Sequence, residues 1–206
     1  MLNFYRLPQD YLKFSGNDRL DLINRLSTNQ VIPLDKFSCV KTVLTSDKGR
    51  IIDLLTLYNL GDIVFAACSF NNAKAVLEHL DKYTIMDDFT PADLSGTHKT
   101  ILFFGDKAVE FISGVTGCNV AGLNESDFLI TNTHDAVISL KDNIIGGIEF
   151  IYSINDKDYW ENLLFSDENI SEYGLQEVSG PDYDIKRIEL GIPAFGKEMS
   201  ELINPL

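Results

Sequence analysis

The chain runs through one order of elements twice, and that repeat limits its possible folds more than any other feature. Residues 103–120, FFGDKAVEFISGVTGCNV, align without a gap on residues 14–31, FSGNDRLDLINRLSTNQV, at a constant offset of 89. The match sets Phe14 on Phe103, Gly16 on Gly105, Leu22 on Phe111, Ile23 on Ile112, Leu26 on Val115 and Val31 on Val120. Residues 153–164, SINDKDYWENLL, fall on residues 69–80, SFNNAKAVLEHL, at an offset of 84, pairing Ser69 with Ser153, Asn71 with Asn155, Val76 with Trp160 and Leu80 with Leu164. Amphipathic patterns recur loosely in any α+β chain, so it is the near-constant offsets that point to duplication. The expected fold class is therefore α+β, with two pseudo-repeated subdomains of antiparallel strands and helices, at about 14–90 and 98–170, in one domain over 1–206.

Within each copy the pattern alternates between helical and extended periods. Gly16, Asn17 and Asp18 are good capping residues ahead of the stripe Leu22, Ile23, Leu26, which predicts a helix. SCVKTVLTS (38–46), RIIDLLTLYNL (50–60) and DIVFAAC (62–68) read as strands of an antiparallel meander across the turns DKG and LGD. Ala73, Val76, Leu77, Leu80 and Tyr83 share one helical face, with Lys74, Glu78 and Lys82 as its solvated ladder. In the second copy DFLITNT, AVISLK and GGIEFIYS supply the strands, and MDDFTPADLSGTHK (86–99) is the candidate joint. Further on, SGPDYDIKRIELGIP sets Pro181 at a helix start, Gly191 just past its end and Pro193 beyond, the start and stop signals of a ten-residue helix. The chain closes on ELINPL, whose apolar Leu202, Ile203 and Leu206 suggest a further C-terminal segment.

Two acids stand in unexpected places. Asp53, among Ile51, Ile52, Leu54 and Leu55, either faces solvent by strand alternation or is buried with a donor. Glu189 falls in the last turn of its helix, the end at which the macrodipole disfavours negative charge by about 0.3–1 kcal/mol. Lys186, three residues earlier, is the local partner that would offset this.

Charge and residue usage narrow the function. A net charge of −14 repels phosphate backbones and argues against nucleic-acid binding. The charge is uneven, since residues 1–50 hold eight basic and five acidic groups, net +3, leaving −17 on residues 51–206. An anion site in an acidic protein is therefore expected near the N-terminal region. Cys39, Cys68 and Cys118, and His79, His98 and His134, are too scattered to spell a metal site, a redox pair or a Cys/His dyad. No membrane-length apolar run and no signal peptide are present, so the cytoplasm is the expected compartment. No nucleophile elbow, P-loop or HExxH is spelled, so the residues name no catalytic group.

FSGNDRLDLINRLSTNQV, LTSDKGRIIDLL and, most specifically, RIELGIPAFGKE (187–198) together resemble the folate-binding fold shared by the glycine cleavage T-protein, an aminomethyltransferase, and the YgfZ-type proteins of iron-sulfur metabolism. The resemblance covers nearly the whole chain and implies an α+β pair of related subdomains. It also exposes departures. The T-protein has two consecutive acids, the second binding the folate ring, where this chain has Asp53 followed by Leu54; its Gly-Tyr-Thr-Gly-Glu run corresponds to DNIIGGIEF (142–150); and its ligand-binding arginine corresponds to Tyr183. The YgfZ-type branch keeps the R-x-E-x-G-x-P signature and tolerates these losses. Its reactive-cysteine motif falls beyond Leu206, and none of the three cysteines here matches it.

The resemblance therefore implies a non-catalytic or weakly catalytic tetrahydrofolate-binding protein, tied to one-carbon metabolism and to iron-sulfur proteins. An aminomethyltransferase fragment and a ligand-free interaction module are the alternatives. The expected ligand site, between the subdomains, draws on Lys41, Arg50, Asp53, Arg187 and Glu189. Lys41 and Arg50 would meet the anionic glutamate tail within about one Debye length, ~8 Å, and Asp53 the pterin amino group. Arg187 and Glu189 would border the cavity or tie their helix to neighbouring backbone.

Overall fold

The computed structural model describes residues 2–141, 147–200 and 202–203. In chain order the elements are β1 (Leu2–Leu7), β2 (Gln9–Ser15), α1 (Arg19–Leu26), β3 (Cys39–Thr45), β4 (Ile51–Asn59), β5 (Ile63–Ser69), α2 (Ala73–Tyr83), β6 (Thr90–Asp93) and β7 (His98–Phe104). They continue with α3 (Ala108–Thr116), β8 (Phe128–Ile130), β9 (Val137–Lys141), β10 (Gly147–Ser153), α4 (Lys157–Leu164), α5 (Asp167–Tyr173), β11 (Leu175–Glu177) and α6 (Gly180–Glu189). The architecture is α+β and divides into two compact units. The first comprises Gln9–Gly96 with Pro193–Leu206, the second Met1–Pro8 with Thr97–Ile192.

The first unit is a five-stranded antiparallel sheet in the order β3-β4-β5-β2-β6. Period-2 alternation turns Leu55 and Leu57 of β4, Val64, Ala66 and Cys68 of β5, and Leu12 and Phe14 of β2 into one core, closed by Leu22 and Ile23 of α1 and Val76 and Leu80 of α2. A fully buried leucine or phenylalanine of this kind contributes about 1.5–3 kcal/mol. The α2 stripe thus holds on the sheet a helix whose Ala, Leu, Lys and Glu residues also favour it intrinsically. The outer edge of β3 is covered by backbone pairing, with the Thr28 N–H donating to the Val43 carbonyl at 3.0 Å.

The second unit is a mixed six-stranded sheet in the order β11-β1-β7-β10-β9-β8. All its pairings are antiparallel except β1 with β11, which run parallel from Leu2 opposite Leu175. Its core joins Phe103, Ile148 and Phe150 to Phe111 and Ile112 of α3 and Trp160 and Leu164 of α4.

The run β8-β9-β10-β7 repeats the order β3-β4-β5-β2 of the first unit. The aligned pairs Leu22 and Phe111, Ile23 and Ile112, Val76 and Trp160, and Leu80 and Leu164 are all buried. Gly16 and Gly105 both adopt positive φ, +100° and +120°. At Gly16 a Cβ would stand 2.0 Å from the Asp88 carbonyl oxygen, so the tight entry to α1 requires glycine.

Several details differ from the sequence reading. Asp18 stands at the N-cap of α1 but makes no side-chain cap; its carboxylate instead accepts the Asp88 N–H at 2.8 Å. The 86–99 joint contains β6 and the first residues of β7. Residues 142–146 of DNIIGGIEF, and residues 204–206 at the close of the chain, lie outside the described residues. Among the described residues no helix is long and apolar enough to cross a membrane, and no group of three or more His, Cys, Asp or Glu could hold a metal ion.

Candidate functional site

The site expected from the sequence falls on both units: Lys41, Arg50 and Asp53 belong to the first, Arg187 and Glu189 to the second. On β4, Ile51, Asp53 and Leu55 share the core-facing side, and Leu54 lies half-buried on the other. Of the two readings open for Asp53, the structure selects burial, with 0% exposure. Its Oδ1 accepts from the Leu54 N–H at 2.8 Å and the Ser69 hydroxyl at 2.6 Å, and its Oδ2 from the Ser69 N–H at 3.0 Å. Burial pushes the carboxyl above its ordinary range, and the donors on Ser69, Asn72 and Leu54 oppose that rise. Asn72 also donates to the Ile52 carbonyl at 2.9 Å, and buried Asp10 accepts the N–H of Asn71, a residue at φ 62°, at 2.8 Å. The two carboxylates therefore hold the β5–α2 turn. Sequence alternation alone had no means of finding this, because the partners are supplied by a turn 16 residues away.

Lys41 and Arg50 lie on neighbouring strands. Lys41 of β3 stands opposite Thr56, and Arg50 directly precedes Ile51, which pairs with Thr45. Four strand residues, about 13 Å, thus separate Lys41 from the Arg50 end of the hairpin. Arg50 is exposed, and its Nη1 donates to the Leu202 carbonyl at 2.9 Å.

On α6 the signature splits into two roles. Arg187 is 3% exposed; its Nε donates to Asp184 at 2.7 Å and its Nη1 to the Ile192 carbonyl at 3.0 Å. The guanidinium thus closes the helix exit, where Gly191 turns the chain at φ +69°. Of the two roles open for Arg187, the geometry supports the tie to backbone. Glu189 is exposed, and Lys186, expected to pair with it, sets its ammonium 4.6 Å over the ring of Phe104. Tyr183 stacks on Tyr5 with ring centroids 4.1 Å apart, so it belongs to the packing of α6 on its own sheet.

One polar group went unnoticed in the sequence because its members are 155 residues apart. Arg6 makes a bidentate pair with Glu161 at 2.5 and 2.7 Å, and the Tyr152 hydroxyl donates to the same carboxylate at 2.7 Å. Burial raises the Glu161 carboxyl, but these donors outweigh it and hold the group below its ordinary range. The contact ties β1 to α4 and β10. Cys68 is buried, and burial together with Asp53, Asp10 and Asp93 pushes its thiol far up, which makes it a poor nucleophile.

No protein-family model matches the chain. In sequence it is similar to an aminomethyltransferase of Staphylococcus haemolyticus (strain JCSC1435), 27% identical over 204 residues, covering 94% of this chain and 53% of the relative. It thus spans about half the length of that curated protein. In structure it superposes on the glycine cleavage system aminomethyltransferase T of Bartonella henselae with a TM-score of 0.84 at 15% identity, over 99% of this chain and 55% of the other. The heterotetrameric sarcosine oxidase of Corynebacterium sp. U-96, solved in complex with pyrrole 2-carboxylate, gives a TM-score of 0.62 at 12% identity, over 86% of this chain and 88% of the other. The chain therefore has the α+β fold of the glycine cleavage aminomethyltransferase and resembles an aminomethyltransferase in sequence over 94% of its length.

Proposed function

We propose that the chain is a YgfZ-type folate-binding protein, which holds tetrahydrofolate without transferring an aminomethyl group and serves one-carbon and iron-sulfur metabolism in the cytoplasm. The observation that carries this reading is the arrangement of β4. Asp53 turns into the core with both carboxylate oxygens engaged, while apolar Leu54 occupies the other face. By the resemblance, Leu54 stands where the T-protein carries its ring-binding acid. A side chain that neither accepts a hydrogen bond nor exchanges a proton cannot stabilise a charged transition state there, a loss of about 2–4 kcal/mol, or 30-fold to 1,000-fold in rate. Binding asks less. A flat ring needs an apolar slot with a few polar groups, and Lys41 and Arg50 are proposed for the glutamate tail. Asp53 and Arg187 then act as structural ties, each within its own unit, rather than as ligand contacts.

The competing reading, an aminomethyltransferase fragment, is favoured by sequence similarity over 94% of the chain. Calorimetric titration with tetrahydrofolate and its triglutamate form at low and high salt, beside an aminomethyl-transfer assay, separates the two. The expected result is salt-sensitive binding that is tighter for the triglutamate, with no transfer. Transfer at T-protein-like rates favours the enzyme, and no binding of either folate leaves an interaction module.

A further inference from the structure

The turn between β3 and β4 is closed by its own bonds. The Gly49 N–H donates to the Ser46 carbonyl at 2.9 Å, and the Ser46 N–H to the Arg50 carbonyl at 2.8 Å. These fix the shape of the turn, while His79 ties it to the helix beside it. His79 is half-buried on α2, and its ring hydrogen-bonds to the backbone of Thr45, the last residue of β3. Its Nε2 is buried and has no hydrogen-bond partner among the described residues, so the bond to Thr45 runs through Nδ1. In the neutral ring Nδ1–H donates to the carbonyl and Nε2 keeps a bare lone pair. A second proton would put a donor and a positive charge where no acceptor stands, which burial penalises.

The surroundings sharpen that penalty. The Tyr83 ring lies 5.0 Å from the imidazole, and Lys82 holds its ammonium 3.2 Å from the Tyr83 hydroxyl. The charged groups acting on the ring are Lys82, from its own helix, and exposed Asp47, from the turn; the strands β2, β4 and β6 packed on α2 add none among the described residues. Packing alone does not demand histidine here. At the offset of 84 the matching residue of the other unit is Leu163, which packs against that unit's core.

We infer that His79 is a proton-sensitive latch, which when neutral ties the β3–β4 turn to α2 and when protonated leaves its buried seat and frees the turn that presents Arg50. The inference stands on this geometry and not on the folate reading. Burial, and then Lys82, hold the ring below the ordinary histidine value, while the Thr45 bond and Asp47 oppose them. The folded state thus binds this proton more weakly than the unfolded chain. Stability is complete above the ordinary value, falls as pH drops from there through the folded value, and then levels off.

The test follows the full chain by nuclear magnetic resonance from about pH 8 to about pH 5, the range in which histidine titrates. The His79 ring should titrate below the ordinary ~6.5, and the nuclear Overhauser contact between its ring protons and Thr45 should vanish with the same midpoint. Lys82→Ala should raise that midpoint and Asp47→Asn should lower it. His79→Leu, the side chain found at the matching position of the other unit, should make urea unfolding less sensitive to acid than in wild type. A ring that titrates at or above the ordinary value, or a Thr45 contact that survives its protonation, overturns the inference, and both are read on wild type without any variant.

Discussion

Replacing Asp53 with alanine separates a structural tie from a ligand contact. The carboxylate accepts from three groups at 2.6–3.0 Å and is itself 0% exposed. Each donor stranded without an acceptor costs about 1–3 kcal/mol. Water entering beside half-buried Ser69 and Leu54 keeps each cost near the lower end, and removing a charged carboxyl that burial disfavours returns a part. The net loss is about 2–3 kcal/mol, or roughly 5–10 °C in melting temperature for a chain of this size. The pH dependence carries its own sign. Because the folded pKa is raised, the folded state holds this proton more tightly than the unfolded chain. Wild type should therefore be most favoured over Asp53→Ala at acid pH. The advantage shrinks as pH rises from the ordinary carboxylate range through the folded value, then levels off. Thermal and urea unfolding followed by circular dichroism across pH measure all of this. A variant that melts within about 2 °C of wild type yet loses folate binding would refute the reasoning, making Asp53 a ligand group.

Two further outcomes follow from local geometry. Gly16→Ala should cost at least about 3 kcal/mol, because the new Cβ meets the Asp88 carbonyl at 2.0 Å, whereas Gly96→Ala, at φ +75° with open space, should cost only about 1 kcal/mol; chemical denaturation of the pair checks the difference. Glu161→Gln should cost about 1 kcal/mol at neutral pH, allowing for the exposure of Arg6. Since the folded Glu161 pKa is depressed, its contribution is present above the ordinary carboxylate range and lost as pH falls through the folded value, so the variant should show a flatter acid limb in urea melts.

The sequence displayed what is periodic and local. The meander β3-β4-β5, the helices α2 and α6 and their exit at Gly191 follow from hydrophobic spacing and turn chemistry, and the two offsets anticipated the shared strand order. The strands β1 and β2, on either side of Pro8, lie almost wholly ahead of the repeat that begins at Phe14, so no second copy points to them. The site was less legible for a related reason. Whether Asp53 points inward depends on the Ser69 amide and hydroxyl awaiting it, and whether Arg187 meets a ligand depends on the Ile192 carbonyl. Neither partnership leaves a trace in spacing.

The placement of β1 also sets an order of events during synthesis. That strand sits between β7 and β11, with Asn3 opposite Phe104 and Leu2 opposite Leu175, so it leaves the ribosome long before either neighbour exists. At about 5–20 residues per second the wait for β11 is on the order of ten seconds. Through that interval Leu2 and Phe4, both buried in the finished sheet, lack their native cover while the first unit becomes complete up to β6. A circular permutant that carries residues 2–8 behind α6 would present β1 only after both of its partners, and it should refold with less aggregation than the natural order.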